Sequence, residues 1–129
     1  YLARMGKSKQ EIKEYIEDEF DYDLSRTCDE IRPDYCFNET CQGCCPEAII
    51  AFLESDDYES AVRLAVSLGG DSDTIACMTG SIAAAFYGVP DELVAKFLPY
   101  LSDEMRTVLD NFEKMLADRQ KRSFGVIME

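Results

Sequence analysis

Apolar residues recur along this chain at helical spacing. Ile12, Tyr15, Ile16 and Phe20 fall at i, i+3, i+4 and i+8, one face of a helix. Ser8, with Glu11 three residues on, forms a capping box ahead of them, and the stripe predicts an end near Phe20. Ala48, Ile49, Phe52 and Leu53 make a second stripe, and Pro46 suits the first position of that helix. Ser55-Asp56-Asp57 breaks it and caps a third, which buries Ala61, Leu64, Ala65 and Leu68 and stops at Gly69-Gly70. From about Thr74 to Tyr87 the chain carries no charge, and Ala76, Gly80, Ala83, Ala84 and Ala85 permit close helix approach. This segment is predicted to be the central and most buried helix, with Ile75, Met78, Ile82 and Phe86 inward. Pro90-Asp91 opens a short helix to about Leu98. Ser102 caps the last one, with Met105, Val108, Leu109, Phe112 and Met115 as its stripe.

Residues 21–45 have no sustained period and read as a long loop, a feature often functional in a compact domain. Tyr1 to Gly6 reads as the last turn of a helix with Gly6 beyond its end, so a start upstream is expected. After Asp118 the periodicity weakens, which predicts a frayed tail over 118–129. Helices joined by loops, without strand alternation, imply an all-α, multi-helix packing over 1–129.

Charge changes the picture by exclusion. The chain has 26 acidic and 13 basic residues, net −13. Nucleic acid and anionic membranes are poor partners for such a surface, since both bind through cationic side chains. No apolar run approaches the ~18 residues of a membrane helix. Bound metal cations are compatible, as is plain solubility. Six cysteines and no secretion signal imply reduced thiols in a cytoplasmic protein. Cys41-x-x-Cys44 suggests zinc, but the chain has no His, and Cys28 or Cys36 would complete a four-Cys set only at irregular spacing. Asn38-Glu39-Thr40 is a glycosylation sequon that matters only in a secreted protein.

The densest chemistry is Gly69-Gly70-Asp71-Ser72-Asp73-Thr74. Two carboxylates and two hydroxyls stand at a helix start, behind glycines that let the backbone turn. Such oxygens are hard ligands, suited to Mg²⁺, Mn²⁺ or Ca²⁺. The same residues also make an ordinary terminator and N-cap between two helices. Two carboxylates alone hold magnesium weakly, so a working site needs further ligands.

Together with Ile75-Ala76 and Gly80-Ser81-Ile82-Ala83-Ala84-Ala85-Phe86-Tyr87-Gly88, this segment resembles the C-terminal signature of ADP-ribosylglycohydrolases. That family includes the dinitrogenase reductase activating glycohydrolase. The resemblance extends through Lys7-Ser8-Lys9, Ile31-Arg32-Pro33-Asp34-Tyr35, Cys41-Gln42-Gly43, Pro46-Glu47-Ala48 and Phe52-Leu53-Glu54, over roughly residues 1–115. It implies an all-α fold and a pair of Mg²⁺ (or Mn²⁺) ions, with Asp71, Asp73 and Thr74 as the C-terminal metal ligands. It also implies hydrolysis of the glycosidic bond between ADP-ribose and an acceptor, on an ADP-ribosylated protein or a related small molecule. The family's other ligands, a Thr- or Ser-led Asp-Asp-Thr run, an early Gly-Asp segment and a nearby Glu, do not occur here. Ser55-Asp56-Asp57 is followed by Tyr58 and aligns with an ordinary helix start. The chain therefore reads as the C-terminal part of such a hydrolase, with little activity alone. Apolar surface left for an N-terminal half would favour self-association. The alternative is a non-catalytic helical interaction module that keeps the fold.

Overall fold

The computed structural model describes residues 1–125, with side-chain surroundings as far as residue 119. Among the described residues there are seven α-helices and no strand, the all-α class the periodicity predicts. They are α1 (Lys9–Phe20), α2 (Cys28–Ile31), α3 (Cys41–Glu54), α4 (Tyr58–Ser67), α5 (Ser72–Tyr87), α6 (Asp91–Phe97) and α7 (Asp103–Gly125). The chain divides into two units, Tyr1–Val89 and Pro90–Glu129. Gly88, at φ +79°, ends α5, and Pro90 forces the residue before it away from helical backbone.

Local signals set most helix ends. Gly6 takes φ +74°, with Gly6 N–H bonded to Ala3 O and Lys7 N–H to Leu2 O, the paired bonds of a Schellman terminator. Ser8 and Glu11 form the capping box of α1, and Asp21, in left-handed backbone, closes it. Asp57 caps α4, with Ser60 returning the bond. The Ser102 hydroxyl accepts from Met105 N–H at the start of α7.

Two expectations need correction here. Residues 21–45 are not one loop. Thr27 and Glu30 make a capping box for the single-turn α2, which is too short to show a period. α3 starts at Cys41 rather than Pro46, because the Thr40 hydroxyl caps Gly43 N–H and the Asn38 carboxamide holds Thr40 in place. Pro46 therefore lies inside the helix. The Gln42 carbonyl it leaves unbonded belongs to an exposed residue that solvent can reach. α7 runs through Gly125, in keeping with the helix formers Ala117, Arg119, Gln120, Lys121 and Arg122. Residues 126–129 lie outside the described residues.

In the first unit α3, α4 and α5 pack pairwise, each against both of the others. The most buried helix is α3, not α5. It buries Cys44, Pro46, Glu47, Ala48, Ile50, Ala51 and Phe52, whereas α5 buries only Ile75, Thr79, Gly80 and Ala83. Met78, Ile82 and Phe86 are half-buried. α3 has neighbours on several sides, with α2, α4 and α5 all packed against it. The small residues of α5 act as expected, though through Thr79, Gly80 and Ala83. On α4 the predicted face holds, with Ala61, Ala65 and Leu68 buried and Leu64 half-buried. On α1 only Ile12 is buried. Tyr15 and Phe20 are about half exposed and line an apolar groove of about 610 Å³ with Tyr1, Leu2, Ile16 and Ile82.

A polar junction ties α1, α3 and α5 together. Lys9 Nζ donates to the carbonyls of Leu53 and Ser55 at the end of α3, beneath the rings of Phe52 (5.4 Å) and Tyr87 (5.5 Å). The Tyr87 hydroxyl donates to Ser55 O at 2.7 Å, and Phe86 packs edge-on against Phe52. In the second unit the stripe predicted for α7, Met105, Val108, Leu109, Phe112 and Met115, is exposed.

The Phe52 ring, fully buried, fills the centre of this junction. Phe52→Ala is expected to cost about 3–5 kcal/mol in denaturant unfolding, against about 1 kcal/mol for Phe52→Leu with repacking. Equal losses for the two would show that the junction needs the ring itself and not merely its apolar bulk.

Candidate functional site

The predicted site lies where α4 hands over to α5. Leu68 closes α4, and Gly69 (φ +78°) and Gly70 (φ +59°) turn the chain in backbone that side chains rarely adopt. Asp71 takes the N-cap position of α5, but at ψ 63° rather than in extended backbone, and its side chain makes no cap hydrogen bond. Asp73 lies in the first turn, its Oδ1 accepting from Thr74 N–H at 3.0 Å. A proton shared with the adjacent Asp71 carboxyl, then the backbone N–H groups of Thr74 and Asp73, hold the Asp73 carboxyl below its usual range. Asp71 is half-buried, whereas Asp73 and Thr74 are exposed.

The structure therefore brings Asp71 and Asp73 side by side facing solvent, with Thr74 next along the helix. The simple capping reading does not describe Asp71, whose carboxylate is turned to its neighbour and not to the helix N–H groups. The first-turn N–H groups still favour negative charge here through the helix dipole. Oxygen donors in this number and exposure suit part of the shell of a hard divalent cation. Among the described residues no cluster of three or more His, Cys, Asp or Glu gathers that could hold a metal, so the two carboxylates stand as a pair.

Sequence reading missed the groups behind the turn. The Tyr35 ring lies against Gly70, where an added Cβ would sit 2.7 Å from Tyr35 Cε1 and 3.0 Å from Cys36 O. The Tyr35 hydroxyl donates to Gly43 O in the first turn of α3 (3.1 Å). Burial, then the neighbouring Cys44, Glu47 and Asp71, raise its pKa, so it remains a donor across the ordinary pH range. One turn beyond Gly43, Glu47 is buried, with Oε1 bonded to Arg26 Nη2 (2.7 Å) and Oε2 without a partner. A lone carboxylate in the apolar run of α3 was a legible signal for Glu47. Tyr35 had none beyond its place in the resemblance, because its contact is tertiary.

The cysteines are free thiols. Cys28 and Cys44 are buried, and Cys36, Cys41 and Cys77 exposed. Burial, with the Glu54 carboxylate beside it, pushes the Cys28 thiol up to about 12, which makes it unreactive.

The profile of the ADP-ribosylglycohydrolase family matches residues 3–124. The chain belongs to that family. ADP-ribosylhydrolase ARH3 of Homo sapiens is 44% identical over 55 residues, which are 43% of this chain and 14% of that protein. ADP-ribosylhydrolase ARH3 of Danio rerio is 55% identical over 31 residues, 24% of this chain and 8% of that protein. ADP-ribosylarginine hydrolase Tri1 of Serratia proteamaculans (strain 568) is 44% identical over 41 residues, 32% of this chain and 11% of that protein. The matched stretches thus span a small part of each relative. No solved structure matches this ADP-ribosylglycohydrolase-family chain significantly.

The two glycines differ in surroundings, which gives a direct check on the turn. At Gly69 an added Cβ meets nothing within 4 Å, so Gly69→Ala should cost only the backbone term, about 1–2 kcal/mol. Gly70→Ala adds the clash with Tyr35 and should cost about 1–3 kcal/mol more. Equal losses in thermal unfolding would contradict the close approach at Gly70.

Proposed function

We propose that this chain carries the Asp71–Asp73–Thr74 part of a metal-dependent ADP-ribosyl hydrolase site. The observation that carries the reading is the free orientation of Asp71. It occupies a cap position, makes no cap hydrogen bond, and stands against Asp73 in reach of solvent. Crowded carboxylates repel, and a cation between them relieves that repulsion. Membership of the family and relatives named as hydrolases of ADP-ribosyl groups, one of them ADP-ribosylarginine, support the substrate class.

In this reading Asp71, Asp73 and Thr74 would hold Mg²⁺, or Mn²⁺, within a two-ion family site. When bound, such ions polarise ribose oxygens and lower the pKa of a water at the anomeric carbon. The chain's own residues fix the ligand oxygens on a rigid helix start and leave them open to an ADP-ribosylated protein or a related small molecule. Two carboxylates and a hydroxyl leave an octahedral ion short of ligands, so waters, substrate and further acidic groups complete the shell. The chain alone is accordingly expected to turn over little or no substrate.

The second reading, a helical interaction module, is favoured by a different observation. The exposed stripe of α7 and the apolar groove beside α1 are surfaces suited to protein contact, with a completing half or a second copy.

Manganese titration followed by EPR separates the readings. Wild type should bind Mn²⁺ weakly, and Asp71→Ala and Asp73→Ala should abolish binding with stability changed by less than about 1 kcal/mol. Thr74→Ala should weaken it less, because a hydroxyl is a neutral ligand. Identical titrations of wild type and Asp73→Ala would end the metal reading. Turnover by the purified chain that vanishes in Asp73→Ala would show that no further half is needed.

A further inference from the structure

The Asp71–Asp73 turn is unusual in what supports it. Gly69 has open space around it, so nothing on that side holds the turn. On the other side the Tyr35 ring, with the Cys36 carbonyl group next to it, occupies the volume that any side chain at position 70 would need. Tyr35 itself is fixed at both ends. Its backbone N–H bonds Ile31 O at the end of α2 (3.1 Å), and its hydroxyl bonds Gly43 O on α3. The ring thus spans from the first turn of α3 to the residue immediately before Asp71. At φ +59° Gly70 has many accessible alternatives, and a glycine pair has more backbone freedom to lose than any other dipeptide.

We infer that Tyr35 is the positioning residue of this site: its ring, braced by the hydroxyl bond to Gly43, holds Gly70 in left-handed backbone and so aims the Asp71 carboxylate at Asp73. Its link to metal binding rests on the reading of Asp71 and Asp73 as metal ligands; the mechanical part does not. Tyr35 touches neither substrate nor ion in this role. It acts through Gly70, as outer residues that orient the ligands of metal sites do.

The test uses the full chain with Mn²⁺ alone as probe, and Tyr35→Phe, Tyr35→Ala and Ile12→Ala. Ile12 is buried in the separate cluster around Phe52 and Ala83, so it controls for lost stability. Tyr35→Ala should weaken Mn²⁺ binding at least about tenfold, while Tyr35→Phe, which keeps the ring, should restore it to within about threefold of wild type. Ile12→Ala should lower the unfolding midpoint without changing affinity.

Amide exchange gives a second readout that needs no metal. The Ile75 N–H bond to Asp71 O closes the first turn of α5. Exchange at Ile75 should accelerate in Tyr35→Ala beyond its rate in Ile12→Ala, compared at equal distance below their midpoints. Should Tyr35→Ala fail to fold, Tyr35→Leu, which keeps apolar bulk without the flat ring, carries the same expectations. If wild type and Asp73→Ala bind Mn²⁺ alike, the ligand reading is lost and the exchange result alone decides the positioning role. Affinity and Ile75 exchange in the Tyr35 variant matching those of Ile12→Ala would overturn the inference.

Discussion

The Thr79 hydroxyl donates to the Ala48 carbonyl at 2.9 Å, inside the seam between α5 and α3 and wholly out of solvent. A buried hydroxyl without a partner costs roughly 1–3 kcal/mol, so this one bond penalises sliding or turning α5 on α3. Ile75 and Ala83, one turn to either side, are fully buried beside it. Close packing of small residues sets how near the helices lie, and the hydrogen bond sets their register. Because Asp71, Asp73 and Thr74 sit at the first turn of the same helix, that register also decides what the carboxylates face.

Two kinds of order meet at the start of α5. The helix behind the carboxylates is rigid, yet the Gly69-Gly70 turn before them is intrinsically loose, and Tyr35 supplies from α2 and α3 the constraint the turn lacks. Behind it, the buried Glu47 keeps one oxygen bonded to Arg26 and the other without a partner. At the turn itself the N–H groups of α5 offset part of the charge of Asp71 and Asp73.

Much of this was legible in the sequence. Ser8 with Glu11, Asp57 with Ser60, and Gly6, Gly69 and Gly88 act within a few residues of where they stand, so their effect can be read directly. Periodicity found the buried face of α4 for the same reason, while the stripe it marks on α7 is exposed. Where local signals competed, the reading failed. Pro46 reads as the start of α3, but Asn38 and Gly43 fold around Thr40 and begin the helix earlier. Thr27-x-x-Glu30 was a visible capping box hidden in a segment with no period. Burial was harder still: α5 has the less polar sequence, yet α3 is the more enclosed, because enclosure depends on how many neighbours a helix has. The candidate ligands were readable as residues; Tyr35, set against Gly70 across a long stretch of chain, was not.

The Ser55 carbonyl receives Lys9 from 46 residues upstream and the Tyr87 hydroxyl from 32 residues downstream. Neighbouring helices such as α3, α4 and α5 pair over short stretches of chain, whereas this one atom closes two long loops at once. It makes the beginning of α1, the end of α3 and the end of α5 a single cooperative unit. A local opening that frees Ser55 strips Lys9 and Tyr87 of their acceptor together. The first unit is thereby shielded against piecemeal fraying from its own ends.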